Sequence, residues 1–237
     1  MGYSKVIVNV PDINASFGKY SQPATKSSNK RMLFTIWSNY SSQISNWAAV
    51  FEIPRGVIAG FIATESSGKM EPPNPYKATG LMQVTPVAIY EAFKKWNVET
   101  SVNFPSSVLN ILKSKVPELI TSKTATIPKS LENLFLSLLQ RDADFNIMCG
   151  TMVLRWTIER FSTILTGGQL NKAMVAYNAS PYHKSITVNK RPIKNPIDTS
   201  ILAKNPIVPS QSRAYLYKML GVDGFLSLIY KDKAIPV

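Results

Sequence analysis

Cysteine and histidine are almost absent from this chain: each occurs once in 237 residues, as Cys149 and His183. A single cysteine excludes an internal disulfide and leaves the redox compartment open. Cys149 stands beside Gly150 on a predicted helix, where a small buried filler is expected rather than a nucleophile. One histidine cannot build a His-rich metal site, and no cluster of Cys, His or carboxylates shows ligand spacing, so neither a metal nor a cofactor is expected. Acidic residues are scarce as well, 14 Asp+Glu against 27 Lys+Arg, for a formal net charge of +13. Such an excess favours anionic partners: nucleic acid, teichoic acid, acidic lipid and peptidoglycan carboxylates all qualify. The basic residues are scattered, however, and no nucleic-acid recognition motif appears, so specific nucleic-acid binding is not expected. Long apolar runs are also missing. No segment is long enough to span a bilayer. The N-terminal MGYSKVIVNVPDINASFGK lacks the apolar core of a secretion signal, and its sixth residue is not the Ser or Thr that myristoylation favours.

What remains is ample core material. Hydrophobic residues make up 45% and charged residues 17%, which argues against a disordered chain and for one domain with extensions. Residues 1–31 alternate briefly from Lys5 to Val10 and then turn polar, as expected of an arm with one short strand. From Met32 to Phe51, Ile36, Tyr40, Ile44, Trp47 and Phe51 repeat at helical spacing and predict an amphipathic helix. A second helix is predicted from Pro54 to Gly68, with Gly68 in the left-handed position that closes it. Its apolar stripe carries Ile58, Phe61 and Ile62, and Glu65 falls on that stripe in the last turn. Desolvation and the negative end of the helix dipole both favour the protonated carboxyl there, which suits a general acid.

A polar, Pro-rich loop follows, and then Gly80-Leu81-Met82-Gln83-Val84, with Thr85 and Pro86 as N-cap and first residue of another helix. Between Trp96 and Asp144, Val108, Ile111 and Leu112 mark one helical piece. Leu131, Leu134, Phe135, Leu138 and Leu139 mark a stronger one after Pro128. The run Asp144–Leu165 repeats Ile147, Thr151, Leu154, Ile158, Phe161 and Leu165 at alternating four and three, which predicts the buried spine of the core, ended by Gly167-Gly168. A helix from Leu170 to Asn178 comes next. Residues 180–212 read as a basic irregular loop, and a last helix starts near Gln211.

Four blocks in this order carry a family resemblance: Glu65-Ser66 followed by Gly80-Leu81-Met82-Gln83-Val84-Thr85-Pro86; Asn146-Ile147 to Gly150; Ala176-Tyr177-Asn178-Ala179; and Arg213-Ala214-Tyr215-Leu216. Together they resemble the soluble (Slt-type) lytic transglycosylase domain. One departure is Ser180, which stands where the family commonly has Gly. The resemblance implies a mainly α, lysozyme-like fold with room for a small β element at the groove. The catalytic domain would span 32–221, with a helical insertion over about 97–143 and a C-terminal extension over 222–237. The insertion would form a wall beside the groove or a docking surface for virion proteins.

The same resemblance implies cleavage of the β-1,4 bond between N-acetylmuramic acid and N-acetylglucosamine in peptidoglycan glycan strands. Glycoside cleavage commonly uses two carboxylates, and this sequence offers one convincing candidate. Glu71 lies in the variable loop, and Asp142 and Asp144 precede the central helix as capping or solvated charges. One carboxylate suffices if the substrate supplies the rest: the N-acetyl carbonyl assists at C1 and the sugar's own C6 hydroxyl attacks. Glu65 would be the catalytic acid and then base, yielding a 1,6-anhydro end. Tyr177 would hold Glu65 or the intermediate by its hydroxyl. Ser66 and Gln83 would bind substrate polar groups, Met82 would face a sugar ring or peptide stem, and Asn178 would orient the backbone. An extracellular substrate for a chain without a visible signal peptide implies delivery by a bacteriophage particle or lysis programme. The alternatives are a hydrolytic lysozyme on the same fold, which needs a second carboxylate facing Glu65, a non-catalytic glycan-binding virion protein, and a nucleic-acid-binding module.

Overall fold

The apolar repeats become helices packed round a single buried one. The computed structural model describes residues 2–6, 8, 25–100, 102–163 and 169–237. In chain order it contains α1 (Lys26–Phe51), α2 (Arg55–Ser66), α3 (Pro86–Glu99), α4 (Ser106–Lys115), α5 (Pro117–Thr121), α6 (Lys129–Arg141), α7 (Ala143–Phe161) and α8 (Leu170–Asn178). A hairpin of β1 (Thr187–Val188) and β2 (Arg191–Pro192) follows, then α9 (Thr199–Lys204), α10 (Ser210–Leu220) and α11 (Phe225–Tyr230). The protein is mainly helical, and no helix among the described residues is long and apolar enough to cross a membrane.

α7 is the predicted spine. Every residue from Phe145 to Phe161 is buried, and α1, α3, α6 and α8 pack round it. Asp142 caps it, accepting from the Phe145 backbone N–H at 2.9 Å. The helix ends at Phe161, earlier than the apolar repeat implied, because Ser162 turns extended and its Oγ bonds back to the Ile158 carbonyl at 2.6 Å. Leu165 and Gly167-Gly168, on which the longer helix rested, lie outside the described residues.

α1 begins at Lys26, six residues before Met32, so the end of the expected arm is helix. Thr25 caps it. The reason is tertiary: Lys26 and Lys30 reach Asp232 near the C-terminus at 2.6 and 3.0 Å, and Asn29 bonds the Asp223 carbonyl. Farther upstream, Ser4 donates to Glu159 through its backbone N–H (2.8 Å) and its hydroxyl (2.9 Å), and Val6 is buried. The rest of the expected strand and the polar stretch up to residue 24 lie largely outside the described residues.

The insertion folds as α4, α5 and α6, with α6 against α3 and α7. The segment read as an irregular loop holds the hairpin and α9 as well. α11, in the expected C-terminal extension, buries Phe225, Leu226, Leu228 and Ile229 and packs on α2. α2, with Val57, Ile58, Phe61 and Ile62 buried, is covered by α1, α10 and α11, its Gly56 and Gly60 meeting Ile229 and Leu226 of α11.

Candidate catalytic site

Glu65 occupies the last turn of α2, and the helix stops one residue later because Ser67 adopts a left-handed conformation (φ 57°). Gly68 follows with φ 81°, so the predicted stop is spread over two residues. Glu65 as a residue is half-buried. Surrounding protein nevertheless desolvates the carboxyl enough to raise its pKa from 4.5 to about 7, while Tyr215 and Lys218 pull it back down. No other carboxylate contributes.

One turn before Glu65, Phe61 is wedged edge-on between two phenols, with ring centroids 5.1 Å from Tyr177 and 5.9 Å from Tyr215. Both tyrosines are raised above the usual phenol range, first by burial and then by the nearby Glu65 charge. Tyr215 is the residue sequence reasoning passed over, although it sits in the Arg213–Leu216 block. Its hydroxyl is buried beside the carboxyl and makes no fully formed hydrogen bond among the described residues. Such a hydroxyl is available to a carboxylate that has just lost its proton.

The turn carrying Gln83 is built separately. Thr79 and Val84 pair as an isolated bridge (Thr79 N–H to Val84 O, 3.2 Å), and Gln83 takes φ 45° between them. A left-handed glutamine costs about 1 kcal/mol or more, so something must hold the turn. Asn146 of α7 does so. Its Oδ1 accepts from the Met82 backbone N–H at 3.0 Å, and its Nδ2 donates to the Thr79 and Leu139 carbonyls, each at 3.0 Å. Gly80, at φ 74°, is required there: a Cβ would lie 2.0 Å from Asn146 Nδ2. Asn146 opened the second matching block, yet nothing local marked it as the buried clamp of a turn 64 residues upstream.

Several expected roles are corrected by this geometry. Met82 is fully buried rather than facing a ligand, packed so closely on Gly150 that a Cβ there would sit 2.5 Å from its sulfur. Tyr177 does not donate to Glu65, because its hydroxyl donates to the Met82 carbonyl at 2.9 Å and braces the turn. Ser66 is buried, and its hydroxyl is used within the helix end, donating to the Ile62 carbonyl and accepting from Gly68 N–H, each at 3.2 Å. Asn178 accepts from Ser212 at 2.7 Å, tying α8 to the helix that carries Tyr215. Gln83 remains part-exposed. Its Nε2 donates to the Gly80 carbonyl at 2.9 Å and its amide oxygen has no protein partner among the described residues.

The two carboxylates at the start of the central helix are capping or hydrogen-bonded charges. Asp142 caps α7 and binds Lys115 at 2.7 Å, and Asp144 accepts from the Trp47 indole at 2.7 Å. Ser180 has no positive φ, so it carries no steric penalty where the family has Gly. Among the described residues no group of three or more His, Cys, Asp or Glu is placed to hold a metal. Cys149 is buried, and burial pushes its thiol well above the usual range.

Comparison with protein-family models, with curated proteins and with solved structures returned no match.

Proposed function

We propose that this chain is a peptidoglycan lytic transglycosylase with Glu65 as its single acid and base. The observation that carries the proposal is a carboxyl at the end of a helix, on a half-buried residue, whose pKa is lifted to about 7 by desolvation without help from a second carboxylate among the described residues. A group poised near neutrality can deliver a proton and recover one at the same pH. Protonated Glu65 donates to the glycosidic oxygen between N-acetylmuramic acid and N-acetylglucosamine, and the N-acetyl carbonyl stabilises C1 as that bond breaks. The Glu65 carboxylate then takes the proton of the C6 hydroxyl as its oxygen closes on C1, which leaves a 1,6-anhydro end and restores the acid. Tyr215 donates to the carboxylate between the two steps, and the Gln83 amide oxygen accepts from a sugar hydroxyl or amide. Met82, Tyr177, Asn146 and Asn178 act through the turn and helices they hold. The buried α7, ringed by helices with the acid at the end of one of them, supports a lysozyme-like reading of the fold.

Digestion of purified peptidoglycan tests this. The expected products carry anhydro ends lighter by one water than hydrolytic products, and Glu65→Gln abolishes them while keeping fold and glycan binding. Reducing ends would assign a hydrolytic lysozyme instead. No digestion by the native protein, or an active Glu65→Gln variant, would overturn the assignment.

A further inference from the structure

Far along the chain from Glu65, the hairpin of β1 and β2 is built without any carboxylate of its own. Three cations fasten its surroundings from within. Arg160 of α7 donates to the Pro181 and Lys190 carbonyls at 3.3 and 3.1 Å, and pairs with Glu99. Lys194 donates to the Arg160 and Ser162 carbonyls at the C-terminal end of α7, where the helix dipole is negative. Lys172, fully buried, binds the carbonyls of Ile193 (2.5 Å) and Asn195. These amines and the guanidinium are satisfied and fix the backbone.

The outward cations are different. Lys184, Lys190 and Arg191 are exposed, and no carboxylate among the described residues pairs with them. Asn189 and Lys190 form the tight turn with φ 50° and 63°. Val188 pairs with Arg191 across the hairpin, so the two share a face, and Val188 is 63% exposed. Beside that face lies a depression of about 630 Å³ lined by Val188, Asn189, Arg191, Pro192 and Ile193. None of the residues round Glu65 lines it.

We propose that this hairpin is an anion-binding site for a phosphodiester-linked polyol chain. The Arg191 guanidinium, which lines the depression, meets one phosphate, the Lys190 ammonium at the adjoining turn meets the next, the Asn189 amide lies beside them, and the aliphatic wall covers the polyol carbons. The preformed turn means that little backbone order is lost on binding. A nucleic acid fits less well, because the depression offers no aromatic face on which bases could stack.

Titration of the full chain with poly(glycerol phosphate) at low and moderate salt tests the site. Lys190→Gln with Arg191→Gln should weaken binding roughly tenfold at low salt and flatten the salt dependence by about two charges. A control pair on exposed lysines outside the hairpin, Lys113→Gln with Lys123→Gln, removes the same net charge and should leave affinity within about twofold at moderate salt, where long-range charge is screened. Equal losses in both pairs would overturn the proposal in favour of overall charge. Equal or tighter binding of a single-stranded oligonucleotide, or of vesicles containing phosphatidylglycerol, with the same sensitivity to the hairpin pair, would also overturn it. Unchanged melting temperatures in both variants exclude loss of fold as the cause.

Discussion

Glu65→Gln should make the folded protein more stable above neutral pH and leave it unchanged in acid. The carboxyl titrates near 4.5 when unfolded and at about 7 in place. Between those values the unfolded chain has released its proton while the folded chain retains it, so stability falls as pH rises. Above about pH 7 both states are ionised, and the folded state then bears the whole penalty, about 3 kcal/mol from the displacement of the pKa. Glutamine keeps the size and a neutral head, so it resembles the protonated acid at every pH. The difference in melting temperature, variant minus native, should therefore be close to zero near pH 4. It should reach roughly 6–12 °C near pH 9 for a chain of this size. Groups that do not feel the Glu65 charge cancel, and Tyr177 and Tyr215, which do, are held by burial well above the usual phenol range and stay protonated in the folded state at about pH 9. Paired calorimetric scans across the range provide the measurement. A difference that does not change with pH, or a variant that is less stable in alkali, would mean that the carboxyl is solvated and that the desolvation argument is wrong.

Removing the Tyr215 hydroxyl with Phe takes away a group that lowers the Glu65 pKa, so the alkaline limb of the kcat/KM profile should move to higher pH as total activity falls; a limb that stays in place would separate the phenol from the acid. Asn146→Ala leaves the Met82 N–H and two carbonyls buried without partners, and should cost about 3 kcal/mol or more in denaturant unfolding, with activity lost even in the folded fraction. Gly150→Ala drives a Cβ into Met82 and should cost roughly 1–3 kcal/mol by overpacking. Combining it with Met82→Ala should recover part of that loss, and strictly additive effects would contradict the contact.

Helix starts were legible where one residue decides them. Thr85 caps α3, accepting from Ala88 N–H at 3.1 Å, with Pro86 first in the helix, and Pro128 precedes α6 as the sequence indicated. The start of α1 was not legible because it depends on distant partners, Asp232 and Asp223; the end of α7 was not because the apolar repeat runs on past the point where Ser162 turns extended and Lys194 takes the Arg160 and Ser162 carbonyls. The hairpin escaped notice for a related reason. Its strands are two residues long, and its turn is Asn-Lys, held from inside by Arg160 rather than by a glycine.

In the candidate site, residue type marked the desolvated carboxyl but not the packing and hydrogen bonds around it. An isolated glutamate on an apolar stripe is detectable because hydropathy is a property of its own helix. Whether a methionine meets a ligand or the core depends on what stands opposite, and here Gly150 on α7 opens a slot that Met82 fills. Once Met82 points inward, its carbonyl and N–H are left to be bonded, which fixes where Tyr177 and Asn146 must act. The consequence is a turn clamped from two helices at once, α8 through Tyr177 and α7 through Asn146. That double restraint accounts for a left-handed Gln83 that no glycine relieves. A site that stores backbone strain next to a desolvated acid should be less stable than an inert version of itself. The rise in stability predicted for Glu65→Gln in alkali therefore measures how much of the core's stabilisation is offset at the acid alone.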